Sequence, residues 1–211
     1  MQTFEADVED LVNPDTERSQ QARSRLLAAR QTSLDYLIKA LPRANERLTW
    51  KIIMILGEMG DPRAIPAFIQ CLQSSSPAIR AAAAQFLSAT GSEKAAEALR
   101  QMLSASPDLS SLIWVIHALG KLGDCQAVDQ LLQIVQETSS ATVRYTAIEA
   151  LGAIGDPRVI DVIRRYANDE SRHVRERVQT VLERFQAQPL PRAHELRRRS
   201  EGPRNASKPS Q

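Results

Sequence analysis

Leu151-Gly152-Ala153-Ile154-Gly155-Asp156-Pro157-Arg158-Val159-Ile160 restates an earlier phrase, Leu56-Gly57-Glu58-Met59-Gly60-Asp61-Pro62-Arg63-Ala64-Ile65. A looser copy, Leu119-Gly120-Lys121-Leu122-Gly123-Asp124-Cys125, lies between them. A degenerate copy runs Leu87-Ser88-Ala89-Thr90-Gly91-Ser92-Glu93. Successive copies start 31 to 32 residues apart. A period of this length, with apolar residues at helical spacing in between, belongs to stacked helix pairs that bury their apolar faces against their neighbours. The chain is therefore expected to be all-α, a right-handed α-solenoid of about five helix pairs.

Each letter of the phrase has a mechanical role. Gly60, Gly91, Gly123 and Gly155 stand where a helix must stop, because glycine accepts the left-handed conformation that ends helices. Asp61, Ser92, Asp124 and Asp156 follow and can cap the next helix. Pro62 and Pro157 fall at the first helical position, where a missing N–H costs nothing. The earlier small residue, Gly57, Ser88, Gly120 or Gly152, sits inside the preceding helix and lets a neighbour approach.

Aligning on these glycines divides each repeat into two helices. First helices are predicted over 22–41, 62–74, 92–104, 125–138 and 157–168, and second helices over 43–58, 77–89, 107–121, 141–153 and 172–187. Ser76-Pro77 and Ser106-Pro107 read as cap plus first-position proline, with Ser140 and Ser171 capping two more second helices. Residues 21–187 form the solenoid. Residues 1–20 are an acidic segment with Phe4, Val8, Leu11 and Val12 at helical spacing, suited to a short capping helix. Residues 188–211 hold four prolines and six bases and are expected to be a disordered basic tail.

Composition narrows the function. Of 211 residues, 43% are hydrophobic and only 4% aromatic, which suits thin helical layers of Ala, Leu, Ile and Val. A net charge of +2 gives no global attraction to nucleic acid or membranes. The tail has no interleaved aromatics, which argues against specific nucleic-acid recognition, though its Leu196-Arg197-Arg198-Arg199 run can meet an acidic surface. No stretch is apolar for long enough to span a bilayer, and the acidic first ten residues do not form a secretory leader. Cys71 and Cys125 are the only cysteines, and both lie in helical patterns, which suits a reducing, cytoplasmic compartment. No CxxC, HExxH or Cys/His cluster predicts a metal site, and no nucleophile–base set predicts catalysis.

The phrase Ala-Leu-Gly-Ala-Ile-Gly-Asp-Pro-Arg-Val-Ile at 150–160, with Val143-Arg144 and Ala147 before it, resembles HEAT repeats. More narrowly, residues 43 to 187 resemble the short HEAT-like units of cyanobacterial phycobilisome bilin lyases and phycobilisome-degradation proteins. That resemblance implies a scaffold or chaperone gripping a phycobiliprotein or photosynthetic-complex subunit. As the alternative it implies a lyase or lyase subunit handling phycocyanobilin; no other cofactor is implied. The family brings no short catalytic signature. Its repeats often set an Asp six residues before the Val-Arg arginine. Asp169 and Arg175 fit that spacing, whereas Ser74 and Thr138 precede Arg80 and Arg144, and position 112 is Leu, so a broken ladder is expected.

In helical solenoids the second helices commonly line the concave side. The buried stripe Val143, Ala147, Ala150, Leu151 and Ile154 leaves Tyr145, Thr146 and Glu149 pointing away from the core. Transferring this register gives Trp50, Lys51 and Met54; Ala81, Ala82 and Gln85; Ile113, Trp114 and His117; and Glu176, Arg177 and Thr180. Both tryptophans join Tyr145 in this predicted partner-binding column, a composition typical of interaction hot spots. Burial of both tryptophans in the core is the competing expectation, one residue of register away. His117 can meet a carboxylate there, whereas His173 and His194 have no acid–base partners.

Overall fold

The computed structural model describes residues 4–105 and 108–187. The Ser106-Pro107 cap and the 188–211 tail lie outside the described residues. Among the described residues there are twelve α-helices, short 3-10 turns and no strand. The helices are α1 (Glu5–Asp10), α2 (Thr16–Ala29), α3 (Gln31–Ala40), α4 (Glu46–Met59), α5 (Ile65–Cys71) and α6 (Pro77–Leu87). They continue as α7 (Glu93–Ser104), α8 (Leu109–Leu122), α9 (Val128–Glu137), α10 (Ala141–Ile154), α11 (Ile160–Arg164) and α12 (Arg172–Ala187). The described residues pack as two compact units, divided between Ala118 and Leu119 within α8.

In the first unit, α4 stacks on α6 and α5 packs on α6. Ile52, Ile53, Leu56, Leu87 and Leu99 are fully buried there, each worth about 1.5–3 kcal/mol of burial. Gly57 is what lets α6 come close: a Cβ on it would lie 2.1 Å from the Phe86 ring. In the second unit, α10 packs between α9 and α12 around Leu131, Val143, Ile148, Leu151 and Val178. Gly120 plays the same role there against Ala150, whose Cα would be 2.6 Å from an added Cβ.

The repeated phrase behaves as its letters require, with one addition. Gly60 and Gly155 end α4 and α10 at φ 63° and 77°. Asp61 and Asp156 then accept the backbone N–H of Arg63 and Arg158, each at 2.9 Å. The same two carboxylates also hold the arginine side chains, at 2.9 and 2.6 Å. The phrase therefore closes on itself, and hydrogen bonds from Arg63 hold the Asp61 carboxyl below its usual range. Pro62 and Pro157 open a 3-10 turn rather than an α-helix, and the α-helices begin only at Ile65 and Ile160.

The first repeat departs from expectation. The predicted helix 22–41 is two helices, broken at Arg30, where φ is 27°. Arg30 donates to the carbonyl of Met59 at 2.8 Å, so the break is tied to the end of α4. The expected boundary between residues 20 and 21 falls inside α2. Ahead of it, Val8 of α1 and the residues that flank that helix, Phe4 and Leu11, lie in the core. Asp7 and Asp10 pair with Arg25 and Arg18 at 2.7 and 2.9 Å, so part of the acidic charge is locally neutralised. Ser76 does not cap α6 with its hydroxyl, which instead donates to Glu46 at 2.6 Å.

Candidate functional site

A second helix must turn one stripe outward once its apolar stripe is spent on the core. On α4 the stripe of exposed residues is Glu46, Arg47, Trp50, Met54 and Glu58, the last four at helical steps of three and four, with Glu46 one turn before Trp50. On α8 it is Ser110, Trp114 and His117. Trp50 and Met54 are each 40% exposed and Trp114 is 36% exposed, so the competing core assignment of the tryptophans is overturned. Lys51 and Ile113 are half-buried beside them. The rings of Trp114 and His117 meet edge to face, with centroids 6.0 Å apart.

Between α4 and α8 lies α6. Gly57 of α4 faces its Phe86, and its Arg80 donates to Ser111 of α8 at 3.1 Å. The outward positions of α6 are Ala78 and Gln85, with Ala81 half-buried, and Ala89 is exposed in the turn that follows the helix. Ala82 is 5% exposed and belongs to the core, which corrects its placement in the outward column. A low row of alanines therefore runs between two helices bearing tryptophan.

The predicted positions of the second unit have a different character. Tyr145, Glu149 and Arg177 are half-buried and bound to one another. The Arg177 guanidinium lies 4.6 Å from the Tyr145 ring centroid, pairs with Glu149 at 3.2 Å and donates to the Tyr145 hydroxyl. Glu176 pairs with Arg172 at 2.7 Å, which holds its carboxyl below the usual range. Thr146 is 7% exposed and gives its hydroxyl to the Thr142 carbonyl at 2.9 Å, so it too leaves the outward column. These side chains spend their polarity internally, whereas Trp50, Met54 and Trp114 present apolar surface to solvent.

The arginine ladder is more complete than the sequence pattern implied. Arg144 donates to both oxygens of Asp169, at 2.7 and 3.3 Å, and to the Thr138 carbonyl at 2.9 Å. Arg175 donates to the backbone carbonyl of Asp169 at 2.7 Å. Arg80 likewise donates to the Ser74 carbonyl and pairs with Asp108. The position six residues before each arginine therefore works through its backbone carbonyl, which any residue supplies. The carboxylate comes from the loop that follows, and Asp169 serves Arg144 rather than Arg175. Burial raises the Asp169 pKa, but hydrogen bonds from Arg144 and from the Ser171 N–H outweigh it and leave the carboxyl below its usual range. This signal is absent from any fixed spacing, because Arg80 reaches its carboxylate 28 residues on and Arg144 reaches its own 25 residues on.

The remaining candidates are chemically quiet. Burial pushes the Cys71 thiol up to about 11. Cys125 is half-buried and contacts the Gly123 carbonyl at 3.7 Å. Among the described residues, no group of three or more His, Cys, Asp or Glu is arranged to hold a metal ion, and no helix is long and apolar enough to cross a membrane.

A family model described as HEAT repeats matches residues 34–113 and 101–183. Two engineered proteins share the fold, at TM-scores of 0.56 and 0.58 and identities of 18% and 16%. Each match covers 89% of this chain, with 98% and 100% of the respective engineered chain. The complex of CpcE and CpcF of phycocyanin lyase from Nostoc sp. PCC7120 is similar at a TM-score of 0.57 and 22% identity, covering 88% of this chain and 77% of that one. Comparison with curated proteins finds no match.

Proposed function

Because the chain belongs to the HEAT-repeat family, we propose that it is a non-catalytic scaffold that holds another protein against the outward face of its second helices. The observation that carries this reading is the exposure of Trp50, Met54 and Trp114 around the low alanine row of α6. Large apolar side chains left in water at neighbouring positions gain free energy when a partner covers them. Their resemblance to cyanobacterial bilin-lyase units directs the repeats toward phycobilisome or photosynthetic-complex assembly or turnover, in the cytoplasm, with a phycobiliprotein or complex subunit held as client. The double variant Trp50→Ala/Trp114→Ala tests it. More than half of each ring is covered, so truncation costs about 1–2 kcal/mol per site yet leaves the helical circular dichroism intact. Partner capture from the native host should be lost; retention of the partner by the folded double variant refutes the docking face.

The fold shared with a phycocyanin lyase favours one second reading, a bilin lyase or lyase subunit. Such a protein presents a linear tetrapyrrole and an acceptor cysteine to each other. Mixing the chain with phycocyanobilin decides between the readings. A sharpened, red-shifted band transferable to an apo-phycobiliprotein supports the lyase, and an unchanged spectrum supports the scaffold.

A further inference from the structure

We infer that the face of α4, α6 and α8 takes an amphipathic α-helix with acidic residues flanking its apolar stripe; this deepens, and rests on, the docking reading above. Width is the first reason. Neighbouring helices in such a stack lie roughly 8–10 Å apart, so α4 and α8, with α6 between them, stand roughly 16–20 Å apart. A helix with its side chains is roughly 10–12 Å across. Laid over the alanines of α6, it reaches Trp50 and Met54 on one side and Trp114 on the other. A single extended segment, whose hydrogen-bonded neighbours sit only roughly 5 Å away, reaches one row and leaves the other in water.

Charge is the second reason. Arg47 and Lys51 on α4 form no ion pair among the described residues. Of the carboxylates on the same helix, Glu58 pairs with Arg23, while Glu46, exposed one turn before Trp50, accepts only the neutral Ser76 hydroxyl and keeps its charge. On α6 and α8 the outward side chains Ala78, Gln85, Ser110, Trp114 and His117 include no acid. The charges outside ion pairs on the face are thus Arg47 and Lys51 against Glu46, a positive balance that borders the aromatic surface. A helix bearing Glu or Asp beside its apolar stripe satisfies both features together. The internally paired Tyr145–Glu149–Arg177 cluster offers neither.

The test uses the full chain and three fluorescein-labelled peptides of equal length, read by fluorescence anisotropy. One is a Leu/Glu amphipathic helix, one its Leu/Lys counterpart, and one the Leu/Glu composition scrambled to remove the stripe. The Leu/Glu helix should bind about tenfold or more tighter than either control, and added salt should weaken it. Arg47→Glu and Lys51→Glu should each weaken it about fivefold, and Trp114→Ala about tenfold or more. Equal binding of the Leu/Lys helix, no binding of the Leu/Glu helix, or indifference to both charge reversals overturns the inference. Sedimentation showing a dimer that Trp114→Ala dissolves assigns the face to a second copy and overturns it too. If the peptide ranking fails while the host partner is still lost from Trp50→Ala/Trp114→Ala, the partner chemistry is wrong and the docking face stands. If the host partner survives that double variant, the face itself is wrong.

Discussion

At the residue scale, the small residues of the repeated phrase separate into two kinds. Gly60 and Gly155 are required by backbone conformation, with φ of 63° and 77° and open space around them. Gly120 and Gly152 are required by a neighbour, and the neighbours differ in how far they can yield. An added Cβ on Gly120 meets the Cα of Ala150 at 2.6 Å, and backbone cannot rotate away. On Gly152 it meets the Cγ2 of Val181 at 2.6 Å, the end of a side chain. Gly120→Ala should therefore cost about 1–3 kcal/mol despite the better helix propensity of alanine. Gly152→Ala should cost less than Gly120→Ala in the same urea titration. Equal midpoints for the two variants would contradict this account. The sequence marked both positions as close approaches, but which atom lies opposite was not readable from it.

At the element scale, helix identity was legible and helix boundaries were less so. The apolar spacing placed α4, α6, α8, α10 and α12 within a few residues, because a buried stripe and a capping residue constrain each end. The first helices were harder. Proline and aspartate together favour a 3-10 start, so α5 and α11 are seven and five residues long, shorter than the apolar pattern suggested. Arg30 broke a predicted single helix into α2 and α3 without glycine or proline to announce it. Element length also sets local stability. In hydrogen exchange, the amides of α11, five residues between two 3-10 turns, should exchange fastest among the helices of the second unit. Those of α10, with fourteen residues packed between α9 and α12, should exchange slowest. Faster exchange in α10 than in α11 would contradict this packing.

At the scale of the whole molecule, the arginine–carboxylate pairs link consecutive repeats within each unit and make stability depend on acid. Asp108 and Asp169 both have carboxyls held low in the folded chain, Asp108 chiefly by its hydrogen bond from Arg80. A carboxyl lowered in the fold stabilises it above the ordinary carboxylate pKa near ~3.9, and that contribution is lost as pH falls through the folded value. Asp169→Asn should thus cost about 1–3 kcal/mol at neutral pH, where it leaves the Arg144 guanidinium short of its acceptors. The gap from the parent chain should close as pH drops below about 4. A gap independent of pH, read from urea midpoints at several pH values, would assign the loss to packing instead. The sequence by itself determined the period, the all-α class, the helix stops and the capping aspartates, because these depend on local conformation and on spacing along one helix. Only the tertiary structure decided that Trp50 and Trp114 face water, that Tyr145 and Arg177 are spent on each other, and that Asp169 serves Arg144. Those outcomes depend on which neighbouring helix covers a given side chain, and a single residue of register reverses them. The repeated phrase fixes where each helix begins and ends; contact between repeats decides which side chains remain for a partner.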